Sequence, residues 1–151
     1  MKERGTTPTL EDAISLAVES HRGQPAKDAY PYILHPMRVM LRLETESERI
    51  VGVLHDVVED TKGKPNQITL DDLRRMGYSE EVVQAMDCVT KREGETYEQF
   101  IARSKTNSIA KRVKLADLED NMDIRRLPEQ LTEKDLKRLA KYRRAWEQVK
   151  G

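Results

Sequence analysis

Residues 46–60 form the segment that most constrains how this chain can fold. When the segment is placed on a helix, apolar side chains cover most of its circumference instead of a single stripe. These side chains are Ile50, Val51, Val53, Leu54, Val57 and Val58. A helix of this kind has no wide polar face for water, so we expect one helix from about Glu46 to Asp60 at the centre of the molecule.

The remaining sequence indicates further helices separated by short loops. Thr9 can cap a helix from Leu10 to about Arg22, and Gly23 can end it. Later helices are predicted to begin near Leu34, Thr69, Ser79, Thr96, Asn107 and Thr132. No segment alternates with the period of two that is typical of strands. We therefore predict an all-α bundle of about seven to eight helices in one domain, residues 1–151, with its core at about 8–150.

Charge and cysteine content exclude several classes of protein. The 27 basic and 27 acidic side chains cancel, which argues against a nucleic-acid coat or a polybasic membrane binder. Local clusters of basic residues remain compatible with this balance.

The single cysteine, Cys88, cannot form an intrachain disulfide and fits a reducing compartment. Because the sequence has neither an apolar run of about 20 residues nor a signal-peptide core in residues 1–5, we expect a cytoplasmic protein without membrane partners. The oligomeric state stays open.

The most informative polar feature is the pair His55-Asp56 inside the apolar segment. A buried polar group without a partner costs roughly 2–7 kcal/mol, so both side chains must be satisfied. Glu59 and Asp60 follow four residues after the pair, which places them one helical turn further along the same faces. Three carboxylates this close repel one another unless a cation neutralises them.

Two further polar residues interrupt apolar helical sequence. Asp117 lies within the mostly apolar run 113–118, and Asn121 follows one turn later on the same face. His35, at the entry to the second helix, can complete a site from a neighbouring helix. A shell that mixes imidazole and carboxylate suits Mn²⁺, Fe²⁺ or Zn²⁺ better than Ca²⁺.

Each of these residues also has an ordinary interpretation. A buried His-Asp pair is often a hydrogen-bonded core pair, and Glu59-Asp60 can be a solvated helix end. Asp117 can face solvent or pair with an arginine. Only their joint occurrence in one chain favours a metal site over these alternatives.

Three motifs give the chain a specific resemblance. Residues 32–36 (YILHP), 54–60 (LHDVVED) and 114–121 (KLADLEDN) together resemble the HD superfamily of metal-dependent phosphohydrolases. Within that superfamily they are similar to the hydrolase domain of RelA/SpoT proteins, and above all to the stand-alone small alarmone hydrolases of the metazoan SpoT homologue type. The resemblance extends from about residue 8 to the end of the chain.

The resemblance implies an HD-type helical bundle and a role in the stringent response. The implied activity is Mn²⁺-dependent removal of the 3′-pyrophosphate from guanosine tetra- and pentaphosphate, ppGpp and pppGpp. The implied metal ligands are His35, His55, Asp56 and Asp117, and the implied catalytic acids and bases are Glu59 and Asp60. The implied nucleotide contacts are Lys27, Asn121, Arg138 and Tyr142. The expected partner is a small nucleotide, not a nucleic acid.

One position departs from the family pattern. Family members carry an Arg-Lys pair in the loop after the first helix, where the arginine packs on guanine. Lys27 matches the lysine, but Ala26 occupies the arginine position. Alanine has no guanidinium plane that could stack on a base. The alternatives are therefore a phosphohydrolase of another nucleotide, such as ppApp, a nucleoside monophosphate or an NADPH-like cofactor, and a non-catalytic nucleotide-sensing module.

Overall fold

Nine α-helices and one 3-10 turn make up residues 6–151, the range that a computed structural model of the chain describes. The helices are α1 (Leu10–His21), α2 (Leu34–Leu41), α3 (Glu46–Leu54), α4 (Val57–Thr61), α5 (Leu70–Arg75), α6 (Glu80–Val89), α7 (Tyr97–Ser104), α8 (Ser108–Asn121) and α9 (Glu133–Lys150), with the 3-10 turn at Ile124–Arg126. Within this range an isolated bridge between Pro25 and Pro31 is the only strand-like pairing. The all-α prediction is confirmed, while residues 1–5 of the predicted domain lie outside the described range. None of the described helices has the length and apolarity that crossing a membrane requires.

Helix α2 begins at Leu34, as predicted, without a side-chain cap, and six other predicted helix starts are confirmed by capping hydrogen bonds. In each case a side-chain oxygen of the residue before the helix accepts a backbone N–H of the first turn. This holds at Thr9, Thr69, Ser79, Thr96, Asn107 and Thr132. Such a cap contributes about 0.5–2 kcal/mol because it satisfies a donor that the helix itself leaves unpaired.

The predicted continuous helix over residues 46–60 is wrong, because the chain breaks between α3 and α4 at His55 and Asp56. His55 Nδ1 lies 2.6 Å from the carbonyl oxygen of Gly52, the atom that would accept the Asp56 N–H in an unbroken helix. The imidazole therefore replaces a backbone donor and ends α3. Helical bonding resumes where the Asp60 N–H donates to the Asp56 carbonyl, at 2.9 Å.

The broken segment still lies at the centre of the bundle, as expected. Helix α3 packs against α1, α2, α6 and α8. Val51, Val53 and Leu54 are fully buried there, and so is Val57 at the start of α4. The polar residues at the break therefore lie between helical segments whose apolar side chains are fully buried.

A second, smaller apolar cluster joins α7, α8 and α9. Its buried members are Phe100, Ile101, Leu118, Ala145 and Val149. Helix α8 belongs to both clusters, because Val113 and Ala116 face the main core and Leu118 faces the smaller one. Asp117 lies between Ala116 of the main core and Leu118 of the smaller cluster.

Truncation of a central leucine provides a direct test of this packing. We expect Leu54→Ala to lower the free energy of unfolding by about 2–5 kcal/mol, because Leu54 has no exposed surface and its loss leaves a cavity. The matched control is Leu41→Ala, since Leu41 is 69% exposed and its truncation is expected to change stability by less than about 0.5 kcal/mol. Urea unfolding of both variants measures the difference. Equal losses in the two variants would contradict the central position of α3.

Candidate functional site

The fold brings three of the predicted metal ligands together from three helices. His35 is the second residue of α2, His55 follows the last residue of α3, and Asp117 lies within α8. These helices pack pairwise against one another, and all three side chains are buried. One ligand atom from each residue lies within 4.8 Å of the others, so the group could hold a metal ion.

The imidazole of His55 is fixed in the form that a metal ligand requires. A carbonyl oxygen can only accept, so the 2.6 Å contact with Gly52 places the proton on Nδ1. Nε2 is buried and makes no well-formed hydrogen bond to any residue in the described range. Two carboxylate oxygens face it nonetheless, Asp56 Oδ2 at 3.1 Å and Asp117 Oδ1 at 3.4 Å. A lone pair that faces two carboxylates is a stable arrangement only when a proton or a metal ion lies between them.

His35 is held by carboxylates on both sides of its ring. Nδ1 lies 2.6 Å from Asp120 Oδ2, and Nε2 lies 3.0 Å from Asp117 Oδ1. The bonds from His35 and Arg38 outweigh the cost of burial and lower the pKa of Asp120 to about 2, so this carboxylate accepts the Nδ1 proton. Nε2 of His35 therefore points toward the same space as Nε2 of His55.

Asp56, the fourth predicted ligand, lies at the edge of this group. Its Oδ2 is 3.8 Å from His35 Nε2, in addition to its approach to His55. The hydroxyl of Tyr32 donates to the same oxygen. The position is compatible with a fourth ligand, and the assignment stays a prediction.

The electrostatics of the group favour one added positive charge. Burial opposes ionisation, but the carboxylates of Asp56 and Asp117 raise the pKa of His55 well above its usual value. Burial likewise opposes ionisation of Asp117, yet Lys114 and His55 hold its pKa well below the usual range. The carboxylates thus remain charged, and an imidazole must bind a proton or a metal ion. Two imidazoles with two carboxylates are a donor set that fits a first-row divalent cation.

Glu59 and Asp60, the predicted catalytic residues, flank the group on α4. The backbone N–H of Lys91 donates to Glu59 Oε1 at 2.7 Å, and Gln24 Nε2 donates to Asp60 Oδ2 at 2.9 Å. Desolvation in the cleft raises the pKa of both carboxyls, and the nearby charge of Asp56 raises each further. A raised pKa brings a carboxylate closer to the value at which it exchanges protons near neutral pH.

His35, Asp56 and Asp117 line a cleft of about 470 Å³. All four residues predicted to contact the nucleotide line this cleft, namely Lys27, Asn121, Arg138 and Tyr142. Partial burial, followed by the charges of Arg138, Lys134 and Lys141, lowers the pKa of Lys27. A concentration of cations in a cleft attracts phosphate groups. Ala26 also lines the cleft, so the departure from the family pattern lies within reach of a ligand.

Three site residues were missed by the sequence reasoning. They are Tyr32, which binds Asp56; Lys114, whose Nζ lies 3.0 Å from Asp117 Oδ2; and Asp120, which binds His35. Lys114 and Asp120 each lie three residues from Asp117, so helical spacing placed both on its face. That spacing was an available signal, although exposed charged residues at this interval are common.

No family model matches the chain. The chain is 35% identical over 133 residues to a protein of Streptomyces coelicolor named GTP pyrophosphokinase, which covers 80% of the chain and 15% of that relative.

Two relatives have the name guanosine-3′,5′-bis(diphosphate) 3′-pyrophosphohydrolase. The protein of Borreliella burgdorferi is 32% identical over 94 residues, 60% of the chain and 13% of the relative. The protein of Aquifex aeolicus is 29% identical over 125 residues, 75% of the chain and 17% of the relative. The chain thus spans less than a fifth of each of these curated relatives. With its three motifs folded into one helical site, the chain is a RelA/SpoT-like HD domain.

Proposed function

We propose that this domain is a metal-dependent phosphohydrolase that removes pyrophosphate from the 3′ position of ppGpp and pppGpp. The observation that carries the proposal is the buried Nε2 of His55, which faces the carboxylates of Asp56 and Asp117 without a hydrogen-bond donor from the described residues. This arrangement supports a bound cation beside a cleft that is lined by lysine and arginine side chains. The relatives supply the class of substrate, since their names refer to guanosine nucleotides.

His35, His55, Asp56 and Asp117 would hold the metal ion. A bound divalent ion would supply Lewis acidity, polarising a phosphoryl oxygen and lowering the pKa of a coordinated water. Glu59 and Asp60 lie beside the ligands with carboxyls of raised pKa, so each can accept a proton from an attacking water and return one to the leaving oxygen. Lys27, Arg138 and their neighbours would stabilise the charge on the phosphates.

The names of the relatives include both synthesis and hydrolysis of alarmones. The histidine and carboxylate donors favour hydrolysis in this domain. Transfer of pyrophosphate between two nucleotides depends chiefly on holding the acceptor hydroxyl in line with the leaving oxygen of the donor, whereas hydrolysis depends on activating a water molecule. Buried imidazoles beside two carboxyls of raised pKa suit the second task.

A nucleotide panel tests the proposal. Purified protein with Mn²⁺ is expected to release pyrophosphate from ppGpp and pppGpp, with GDP and GTP as the second products. Guanosine nucleotides that lack a 3′-pyrophosphate serve as matched controls, and ppApp and NADPH test the alternatives. Release of orthophosphate, or turnover restricted to adenine nucleotides, would contradict the proposed substrate. Tight nucleotide binding with no turnover in any divalent metal would support a sensing module instead.

Ala26 provides a separate test of how the base is bound. We expect Ala26→Arg to lower KM for ppGpp by about two- to fivefold, because a stacked guanidinium contributes about 0.5–1 kcal/mol at a partly exposed site. The control is Ala26→Lys, which adds the same charge without a flat surface for stacking. Steady-state kinetics of both variants separates stacking from charge. Equal changes in KM would show that position 26 acts through charge alone.

A further inference from the structure

Asp120 is the most completely enclosed acidic side chain beside the site. It has no exposed surface and lies at the end of α8 nearest the 3-10 turn. Its Oδ2 binds His35 Nδ1 at 2.6 Å, and its Oδ1 accepts from Arg38 Nε at 2.8 Å. A buried carboxylate on the outer nitrogen of a ligating histidine fixes the ring and increases the basicity of the inner nitrogen.

Arg126 connects this carboxylate to the wall of the cleft. One terminal nitrogen of its guanidinium, Nη2, donates to the Asp120 carbonyl at 2.7 Å and to Asp120 Oδ2 at 3.3 Å. The other, Nη1, donates to Asp123 Oδ2 at 3.3 Å, and Nε lies 3.6 Å from Asp28 Oδ2. One side chain therefore touches the partner of His35, the 3-10 turn and the loop that follows α1.

The contact with Asp28 connects the arginine to the part of the cleft where the substrate would bind. Asp28 lies in the loop over residues 23–32, next to Ala26 and Lys27, and all three line the cleft. The Asp28 side chain is only 14% exposed, so its carboxylate faces Arg126 more than solvent. If this loop moved, the Asp28 carboxylate would move relative to the guanidinium of Arg126, which also binds Asp120.

We propose that Asp120 and Arg126 are positioning residues that connect the loop over residues 23–32 to the orientation of the His35 imidazole. Asp120 holds the ring with Nε2 toward the metal position, and Arg126 fixes the Asp120 oxygen that binds the ring. Asp120 is not among the residues that line the cleft, whereas Arg126 lines it with a guanidinium that binds Asp120 and Asp123. The inference rests on the proposed function, because it needs a metal ion at His35.

The alternative role for Arg126 is structural, since its bond to the Asp120 carbonyl also closes the end of α8. Asp120 Oδ2 binds both Arg126 and His35. Because of this shared oxygen, the two roles predict different effects of losing Arg126. A structural arginine would affect the stability of the metal-free protein. A positioning arginine would affect the affinity for the metal ion.

The test compares neighbouring arginines in metal-free protein titrated with Mn²⁺ by calorimetry. We expect Arg126→Ala to weaken Mn²⁺ binding by about tenfold or more, as is typical when an outer partner of a ligand is lost. The matched control is Arg125→Ala, since Arg125 is 84% exposed and pairs with Asp123 alone in the described range. This variant removes the same charge one residue away and is expected to bind Mn²⁺ within about twofold of the parent.

Two more variants keep the test decisive where Arg126→Ala does not fold. Arg126→Lys keeps the charge but not the forked geometry, and we expect an intermediate Mn²⁺ affinity from it. Asp28→Asn weakens the ion pair between Arg126 and the loop, so we expect KM for ppGpp to rise several-fold and Mn²⁺ affinity to fall by less than in Arg126→Ala.

Equal Mn²⁺ affinity in Arg126 and Arg125 variants would overturn this inference and leave the proposed function intact. A stability loss in metal-free Arg126→Ala at unchanged affinity would assign Arg126 the structural role and overturn it too. Absence of Mn²⁺ binding in the parent protein would overturn the inference together with the proposed function.

Discussion

Asp117→Asn is expected to weaken binding of the divalent metal by more than about 100-fold and to reduce pyrophosphate release at least as much. Asp117 Oδ1 approaches both imidazoles, at 3.0 Å from His35 Nε2 and 3.4 Å from His55 Nε2, so it is the oxygen that the two histidines share. An amide keeps the shape of the side chain but removes the negative charge that a cation requires. The asparagine variant is preferred to alanine because it leaves a polar partner for the buried amine of Lys114.

Glu48→Gln is the matched control for this variant. Glu48 is also a buried carboxylate, 5% exposed, but it caps α3 and binds Arg112 away from the cleft. Elemental analysis after gel filtration is expected to find the metal in Glu48→Gln and in the parent protein, and to find it lost from Asp117→Asn. Full occupancy in Asp117→Asn would remove Asp117 from the ligand set.

Glu59→Gln is expected to keep the metal and to lower kcat by about 10²–10⁴-fold, the range for loss of a general acid or base. Glu59 lines the cleft beside the ligands but binds the Lys91 backbone instead of an imidazole. Its loss therefore removes proton transfer without dismantling the metal site. The control is Glu93→Gln, since Glu93 is 93% exposed and outside the cleft that holds the ligands, and we expect it to leave kcat unchanged.

Comparison of Asp60→Asn with Glu59→Gln tests whether both carboxyls take part in proton transfer. Stopped-time assays at saturating ppGpp and Mn²⁺ measure kcat, and metal analysis of the same samples confirms occupancy. Losses in both Glu59 and Asp60 variants would support an acid and a base from the same helix. An unchanged kcat in Glu59→Gln would remove Glu59 from the mechanism and leave Asp60 as the candidate.

Local signals predicted the helix boundaries well. Thr9 with Asp12, and Thr132 with Asp135, form reciprocal capping bonds within four residues, so the relevant physics is contained in the local sequence. The break at His55 was not predictable in the same way. It depends on the imidazole binding the Gly52 carbonyl, a choice of side-chain conformation that the apolar periodicity of residues 46–60 does not record.

In the candidate site, too, some features could be predicted from the local sequence and others depend on tertiary contacts. The motifs placed His35, His55 and Asp117 together, and the structure brings their ligand atoms within 4.8 Å. Helical spacing alone did not establish the role of Asp120, because the sequence places Glu119 and Asp120 side by side with the same charge. Packing of α2 against α8 buries Asp120 completely and leaves the Glu119 side chain 43% exposed. Tertiary contacts of this kind decide which of two adjacent carboxylates supports a ligand.

Stepwise addition of Mn²⁺ to metal-free protein, with the rate of pyrophosphate release from ppGpp recorded at each step, tests the central claim most directly. One metal site made by His35, His55, Asp56 and Asp117 predicts no release in chelator and a linear rise that ends at about one equivalent of Mn²⁺. Release at full rate in chelator, or none at any ratio of Mn²⁺ to protein, would contradict a metal-dependent phosphohydrolase.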